Sequence, residues 1–328
     1  MIASGAAELS IVIVNYRSWA RLERCLASLR PLLEAGRPVT QIVVVDNASA
    51  DGAFDAFAKA HPDVRFVLND GNWGFADGCN RGAREARGAH LLFFNPDAED
   101  RSGAIATLLA AALTHPEAAI LTARQVDDRG RAQKVFDCFP SLLTLFGPMR
   151  AVLRTLAPRR FPDPRRDRHG YLEVDWVSAS ALMIRRPVFD ALGGFCDGFW
   201  MYSEDVDLCR RARDAGHAVA LVADATLLHA HGGTSRRDPE TGALTRSEVV
   251  VSRHFYASRH FGGVHAAIYH LALVATRFVP LTLPALLAGA WPGAPGAVRA
   301  RAATWRHLAR YYRGVPSRGW RSSRARTN

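Results

Sequence analysis

The stretch Leu9-Ser10-Ile11-Val12-Ile13-Val14-Asn15-Tyr16 decides the fold. Its apolar, β-branched run over residues 9–14 is what a strand covered on both faces requires, as in parallel sheets. After Tyr16 the period changes, and Trp19, Leu22, Leu26, Leu29 and Leu33 recur at helical spacing. A second buried run, residues 42–45, ends at Asp46-Asn47-Ala48-Ser49, and a weak helix through Phe54 and Phe57 leads to a third strand, residues 64–68. Strands alternating with helices predict right-handed βαβ crossovers and an α/β fold with a Rossmann-like, mostly parallel sheet flanked by helices. Ligands of open sheets bind beyond the carboxyl ends of the strands, so Asp46 falls in ligand territory.

Outward from this core, Asn72-Trp73-Gly74-Phe75-Ala76-Asp77-Gly78-Cys79-Asn80-Arg81-Gly82 forms a glycine-rich loop entering a helix that ends near Gly88. A strand over residues 91–94 follows, then Asn95-Pro96-Asp97, again an acid just past a strand end, and a helix over residues 104–113. Residues 140–170 mix five prolines with seven arginines, among them Arg150 and Arg154, and are expected to be a flexible insert or lid. That insert separates a donor half, residues 1–139, from an acceptor half, residues 171–248. The second half holds strands at 174–177 and 182–184, a helix over 203–215, and strands at 219–222 and 227–228 that lead into His229.

Charge divides the chain elsewhere. Glu248 is the last acid, and the 12 arginines beyond it exceed the whole net charge of +11, leaving residues 1–248 at −1. Residues 249–328 are therefore expected to form a helical, basic, membrane-associating extension. A tail without acids suits a polyanion. Its apolar content between His254 and Trp291 favours an anionic membrane surface over nucleic acid, which is not expected as a partner. Within it, residues 278–297 are uncharged and long enough to span a bilayer. Pro280, Pro284, Pro292 and Pro295 nonetheless make a poor continuous helix, so an interfacial or re-entrant segment is expected. The five cysteines have no C-x-x-C or metal spacing and read as reduced thiols. No basic region precedes the short apolar run at 11–14, and the expected location is cytoplasmic, peripheral on the inner face of the cytoplasmic membrane.

Asp46, Asp97 and the pair Glu204-Asp205 all follow strands or open helices. Any one of them reads equally well as a helix cap. Their order, together with the glycine-rich loop and a histidine, is what carries chemistry. With Gly193-Gly194-Phe195, Met201-Tyr202-Ser203-Glu204-Asp205-Val206-Asp207-Leu208 and His229-Ala230-His231-Gly232-Gly233-Thr234, the chain resembles the family 2 glycosyltransferases, close to the bacterial rhamnosyltransferase-like members.

The resemblance implies a GT-A fold over residues 1–248 and an inverting, metal-dependent hexosyltransferase that moves a sugar from a nucleotide diphosphate donor to a hydroxyl. It implies Asp46 against a uracil or thymine imide, and Asn15, Asn47 and Asn80 on ribose and phosphate. Asp97 and His229 are implied as ligands of Mn2+ or Mg2+, with His231 the alternate. Asp205 is implied as the base, with Glu204 orienting the acceptor. Similarity to rhamnosyltransferases points to dTDP-rhamnose and a lipid-linked or polysaccharide acceptor in cell-surface glycan synthesis. A UDP-hexose donor, or a non-catalytic nucleotide-sugar-binding partner, is the alternative. Ala179 and Cys196 depart from the family pattern, which carries a glycine and an acid there.

Overall fold

The computed structural model describes residues 8–36, 38–158, 160–163, 169–230, 238–291 and 293–326. In chain order the first elements are β1 (Leu9–Asn15), α1 (Trp19–Glu34), β2 (Thr40–Asp46), α2 (Phe54–Ala60), β3 (Arg65–Leu68), α3 (Phe75–Glu85), β4 (His90–Phe94), β5 (Ala98–Glu99) and α4 (Ala104–Thr114). There follow β6 (Ala118–Val126), β7 (Phe136–Asp137), α5 (Leu142–Leu145), α6 (Gly147–Leu156), β8 (Tyr171–Glu173), β9 (Trp176–Val177), β10 (Ala181–Arg185), α7 (Arg186–Ala191), α8 (Glu204–Asp214) and β11 (Ala218–His229). The last helices are α9 (Pro239–His260), α10 (Gly263–Leu273), α11 (Thr282–Ala290) and α12 (Gly296–Arg318).

The chain divides into two compact units. The first takes the described residues within Met1–Pro140, Thr144–Cys196 and Asp205–His231, and the second those within Ser141–Leu143, Asp197–Glu204 and Gly232–Asn328. The acids end at Glu248, inside the unbroken helix α9, so charge and compactness divide the chain at different places.

In the first unit a sheet of nine described strands runs β3-β2-β1-β4-β10-β6-β11-β5, with β8 beside β11. β1 to β4 pair in parallel, while β10 enters antiparallel to both β4 and β6. The parallel character inferred from the first 94 residues thus gives way to mixed pairing. Alternation along β1 separates two cores. Ile11 and Ile13 face α1 and α4 through Leu22, Leu26, Leu29, Ile105 and Leu108. Val12 and Val14 face α3 and α8 through Ala76, Cys79, Leu208 and Cys209. Glycine makes the α3 approach possible, because a Cβ at Gly82 would stand 2.3 Å from the Val12 side chain.

Several elements differ from the sequence expectation, and the strand expected over 174–177 is replaced by the short β8 and β9. β6 occupies residues where sequence alone marks no strand, because its Ala118-Ala119 start has weak β propensity. β11 is one strand of 12 residues with a register shift between Val222 and Thr226, where Asp224 interrupts the apolar pattern. Residues 140–170 contain the helices α5 and α6, while Arg159 and residues 164–168 lie outside the described residues.

The second unit is helical. α9 starts on Asp238, whose Oδ1 accepts from the Thr241 amide at 2.8 Å, with Pro239 in the first turn. From Gly263 to Ala290 the chain is helical throughout, 28 residues, long and apolar enough to cross a membrane by length and composition. The expected break at Pro280 is absorbed instead by a π-turn over Val274–Phe278 and a 3-10 turn over Val279–Leu281, which release the backbone groups a proline would orphan. Val264, Ile268, Leu271, Val279, Leu283 and Leu286 are exposed along this run. Phe278 stacks on Trp305 of α12, with ring centroids 5.7 Å apart.

Candidate active site

The carboxyl ends of β1, β2 and β4 open onto one set of loops in the first unit. After β2, the Asp46 carboxylate is buried and internally satisfied. Its Oδ1 accepts from Asn15 Nδ2 at 2.8 Å and Ser49 Oγ at 2.5 Å, and its Oδ2 from the Ser49 amide at 2.8 Å. Ser49 also takes up Arg17, accepting from the Arg17 amide at 2.7 Å and from Nε through its backbone oxygen at 2.9 Å. Arg17, Ala48 and Ala50 all hold left-handed φ angles of 50–55°. Non-glycine residues keep such angles only where their surroundings over-determine them, and here both strand-end loops do.

Asn47 donates to the Gly74 carbonyl at 2.8 Å and accepts from Asn69 Nδ2 at 3.1 Å, while Asn69 also bonds Asp77 at 2.8 Å. Asn15 Oδ1 is buried and meets no hydrogen-bond donor among the described residues. Asn80 turns away from this cluster. Its Nδ2 donates to the Phe195 carbonyl at 2.8 Å and its Oδ1 accepts from the Phe195 amide at 2.9 Å, tying α3 to the Gly193-Gly194-Phe195 turn. Ser49 closes the Asp46-Asn47-Ala48-Ser49 stretch, but its bonds to Asp46 and Arg17 show only in the fold, and Asn69 carries no sequence signal beyond its turn propensity.

Past β4, the short β5 pairs with the end of β11, setting His229 opposite Ala98. That register brings His229 Nε2 within 3.2 Å of Asp97 Oδ1 and 3.4 Å of Asn95 Nδ2. The Ala230 amide donates to the Asp97 carbonyl at 3.0 Å, and Gln133 Nε2 donates to the His229 carbonyl at 2.6 Å. Burial alone would raise the pKa of Asp97, but the imidazole beside it, with a backbone hydrogen bond and the Arg21 charge, outweighs burial and holds the carboxyl below the usual range. His231, with the Gly232-Gly233-Thr234 that follows it, lies outside the described residues.

Glu204 opens α8 and is buried, whereas Asp205 keeps a partly open face. Protein atoms nevertheless crowd the Asp205 carboxyl, and burial raises its pKa against three backbone amides and the Lys134 ammonium, all of which favour the carboxylate. The position at the start of a helix predicts a lowered value, and desolvation overrides it. Asp205 Oδ2 accepts from the Ala179 amide at 3.2 Å and Oδ1 from the Val206 amide at 2.8 Å. What Ala179 supplies is its backbone N–H, which alanine provides as well as glycine.

Residues 10–209 match the model of glycosyl transferase family 2. Over 270 residues, 77% of this chain and 85% of the relative, the sequence is 33% identical to N-acetylglucosaminyl-diphospho-decaprenol L-rhamnosyltransferase of Mycobacterium tuberculosis. Among solved structures, the mannosyltransferase PcManGT from Pyrobaculum calidifontis, in complex with GDP-Man and Mn2+, superposes with a TM-score of 0.52 at 17% identity, covering 94% of this chain and 87% of that one. GalNAc-T7 with UDP, GalNAc and Mn2+ gives the same TM-score and identity over 78% of this chain, which spans about half of that protein, 51%. Strand-end acids, a β5–β11 register that pairs Asp97 with His229, and a family match over residues 10–209 converge, and the chain belongs to glycosyl transferase family 2, with the GT-A fold.

Proposed function

We propose that this glycosyltransferase moves L-rhamnose from dTDP-rhamnose to a hydroxyl of a lipid-linked acceptor in cell-surface glycan synthesis, inverting the anomeric centre. The observation that carries the proposal is the approach of His229 Nε2 to Asp97 Oδ1, 3.2 Å apart at the strand ends. The sugar and the lipid-diphosphate acceptor are taken from the 33% identical relative, whose name specifies both.

One carboxylate oxygen and one imidazole nitrogen face each other, and no group of three or more His, Cys, Asp and Glu forms among the described residues. Such a pair suits Mn2+ or Mg2+ when diphosphate oxygens and water supply the remaining ligands. Asp97 and His229 would hold the ion, which when bound neutralises charge on the departing diphosphate.

Asp46 accepts the imide N–H of the base on Oδ2, the oxygen that carries a single internal bond among the described residues. Asn15 and Asn47 contact the ribose and phosphates, and Asn80 holds the wall behind them. Asp205 takes the proton from the acceptor hydroxyl as its oxygen attacks the anomeric carbon from the face opposite the diphosphate. Its raised pKa makes it a stronger base than a free carboxylate. Glu204 orients the acceptor. The exposed apolar run of α10 and α11 and the arginines of α12 seat the second unit on an anionic membrane surface.

The test is release of nucleoside diphosphate from a panel of dTDP- and UDP-sugars with Mn2+, using a lipid-linked acceptor. Acceptor-dependent release from dTDP-rhamnose supports the reading. Release only from a UDP-hexose overturns the donor, and no release from any donor overturns the activity.

A further inference from the structure

Close to Asp205 lies a group of cations that the transfer chemistry leaves unused. Asp137 is buried, and its Oδ2 meets Lys134 Nζ at 2.6 Å, Arg150 Nη1 at 3.0 Å and Arg154 Nη2 at 3.5 Å. Three cations thus share one carboxylate. The next acid, Asp175, is engaged by Arg160 at 2.9 Å and adds no spare negative charge. Arg150 also donates from Nη2 to the Thr144 carbonyl at 2.7 Å, while its Nε is buried without an acceptor among the described residues.

Two positive charges are therefore in excess, in a half-buried setting. A balanced ion pair would raise the lysine. Here burial, together with repulsion from Arg150 and Arg154, lowers Lys134, while the surrounding cations outweigh burial and lower Asp137 as well. Three cations crowd one carboxylate, and a second anion would relieve their mutual repulsion.

The cluster sits next to the candidate base. β7 carries Asp137 and pairs with β9, placing Asp137 opposite Trp176. Two residues past β9, the Ala179 amide bonds Asp205. Gln133, beside Lys134, bonds the His229 carbonyl, and the Lys134 charge reaches Asp205. α6 adds exposed apolar side chains: Phe146 lies one turn before Arg150, and Met149, Val152 and Leu156 line the outer face of the helix, away from Arg150 and Arg154.

We propose that Lys134, Arg150 and Arg154 bind the diphosphate of the lipid-linked acceptor, with its hydrocarbon chain leaving past Phe146 onto the outer apolar face of α6. This rests on the reading of Asp205 as base, and it gives that site its acceptor residues. An acceptor hydroxyl at Asp205 puts the acceptor's own anomeric diphosphate one sugar ring away. A diphosphate diester carries two negative charges, matching the excess, and arginine forks match phosphate oxygens. The donor diphosphate belongs instead at Asp97 and His229.

The test is calorimetric binding of farnesyl diphosphate to the full chain in neutral detergent micelles, with farnesol, inorganic pyrophosphate and UDP as companions. The wild-type chain is expected to bind farnesyl diphosphate more tightly than farnesol or pyrophosphate. Lys134→Ala and Arg150→Ala should each weaken farnesyl diphosphate by about tenfold or more and leave UDP unchanged. Asp137→Asn, which removes the competing carboxylate, should tighten it. Unchanged affinity in both alanine variants, equal loss for UDP, or pyrophosphate binding as tightly as the lipid overturns the proposal. Turnover plays no part in this measurement, so an active Asp205→Asn would sink the base and leave the diphosphate site standing.

Discussion

His229 Nε2 and Asp97 Oδ1 stand 3.2 Å apart although 132 positions separate them in the chain. The pairing depends on β5, two residues long, whose hydrogen bonds to the end of β11 fix the register. If the pair holds a cation against the donor, Asp97→Ala and His229→Ala should each lower kcat by about a hundredfold or more, as loss of a main electrostatic stabiliser does. His231→Ala should stay near wild type. Nucleoside diphosphate release over a Mn2+ series decides the matter, and a His231 variant as damaged as the His229 variant would reverse the ligand assignment.

If Asp205 takes the acceptor proton it must do so as a carboxylate, and activity is lost as pH falls through its pKa. Burial raises that pKa, which puts the acid limb of the kcat profile above the range of an ordinary aspartate. The Lys134 ammonium pulls the other way, so Lys134→Met should move the limb to still higher pH. Asp205→Asn should abolish transfer while leaving donor binding, measured by thermal shift with nucleoside diphosphate, intact. An acid limb at the position of a free carboxylate would mean that another group takes the proton.

Much of the fold is legible in the sequence. The buried runs at β1, β2 and β4 show as unbroken β-branched stretches because parallel strands are covered twice, and Asp46 and Asp97 stand out because they end such runs. β6 was hidden by its alanines, and the antiparallel entry of β10 by the absence of any local signal for strand direction. Ser49, Asn69 and Gln133 are ordinary polar residues in sequence, and only pairing across the sheet makes them partners of Asp46, Asn47 and His229. Asn80 shows the converse. It stands in the motif, yet the fold commits both its amide atoms to Phe195.

In the second unit, two buried groups oppose each other in acid. His254 is buried between His270, Tyr312 and Trp320, its Nδ1 2.8 Å from His270 Nδ1 and its Nε2 2.9 Å from the Tyr312 hydroxyl, and burial pulls it down to about 3. The unfolded chain, near 6.5, then binds the extra proton, and stability falls as pH drops below that value. Glu248 is pushed up to about 7 by burial, against the Ser322 hydroxyl and the charges of Arg324 and Arg318. Its contribution has the opposite sign, and stability falls as pH rises from about 4.5 to about 7. The wild-type unit should therefore change little between about pH 6.5 and 5. Glu248→Gln should expose the histidine term, a loss of roughly 1–2 kcal/mol on acidification over that window. His254→Asn should gain stability on the same acidification. Urea unfolding followed by helical signal reads both, and equal slopes in the two variants would contradict the assignment.

The loop ahead of Glu204 and Asp205 is braced within the second unit. A Cβ at Gly198 would stand 2.3 Å from the Phe255 ring, which is buried and packed edge-on against Phe199 at 4.7 Å, so neither ring has room to withdraw. Farther along, Tyr202 and Ser203 both hold left-handed φ angles, 71° and 63°, and Ser203 Oγ lies 3.2 Å from Ser252 Oγ. Two consecutive strained residues persist only under such bracing, and they lead directly into Glu204. Gly198→Ala should destabilise the unit by about 1–3 kcal/mol through overpacking. If Glu204 orients the acceptor, the substitution should also lower kcat at temperatures where the variant is still fully folded, because the displaced loop ends in Glu204. Phe255→Leu in the same chain makes room for the methyl group and should restore both stability and kcat. A double variant that recovers stability but leaves kcat depressed would show that the loop reaches Asp205 by some route other than the Gly198–Phe255 contact.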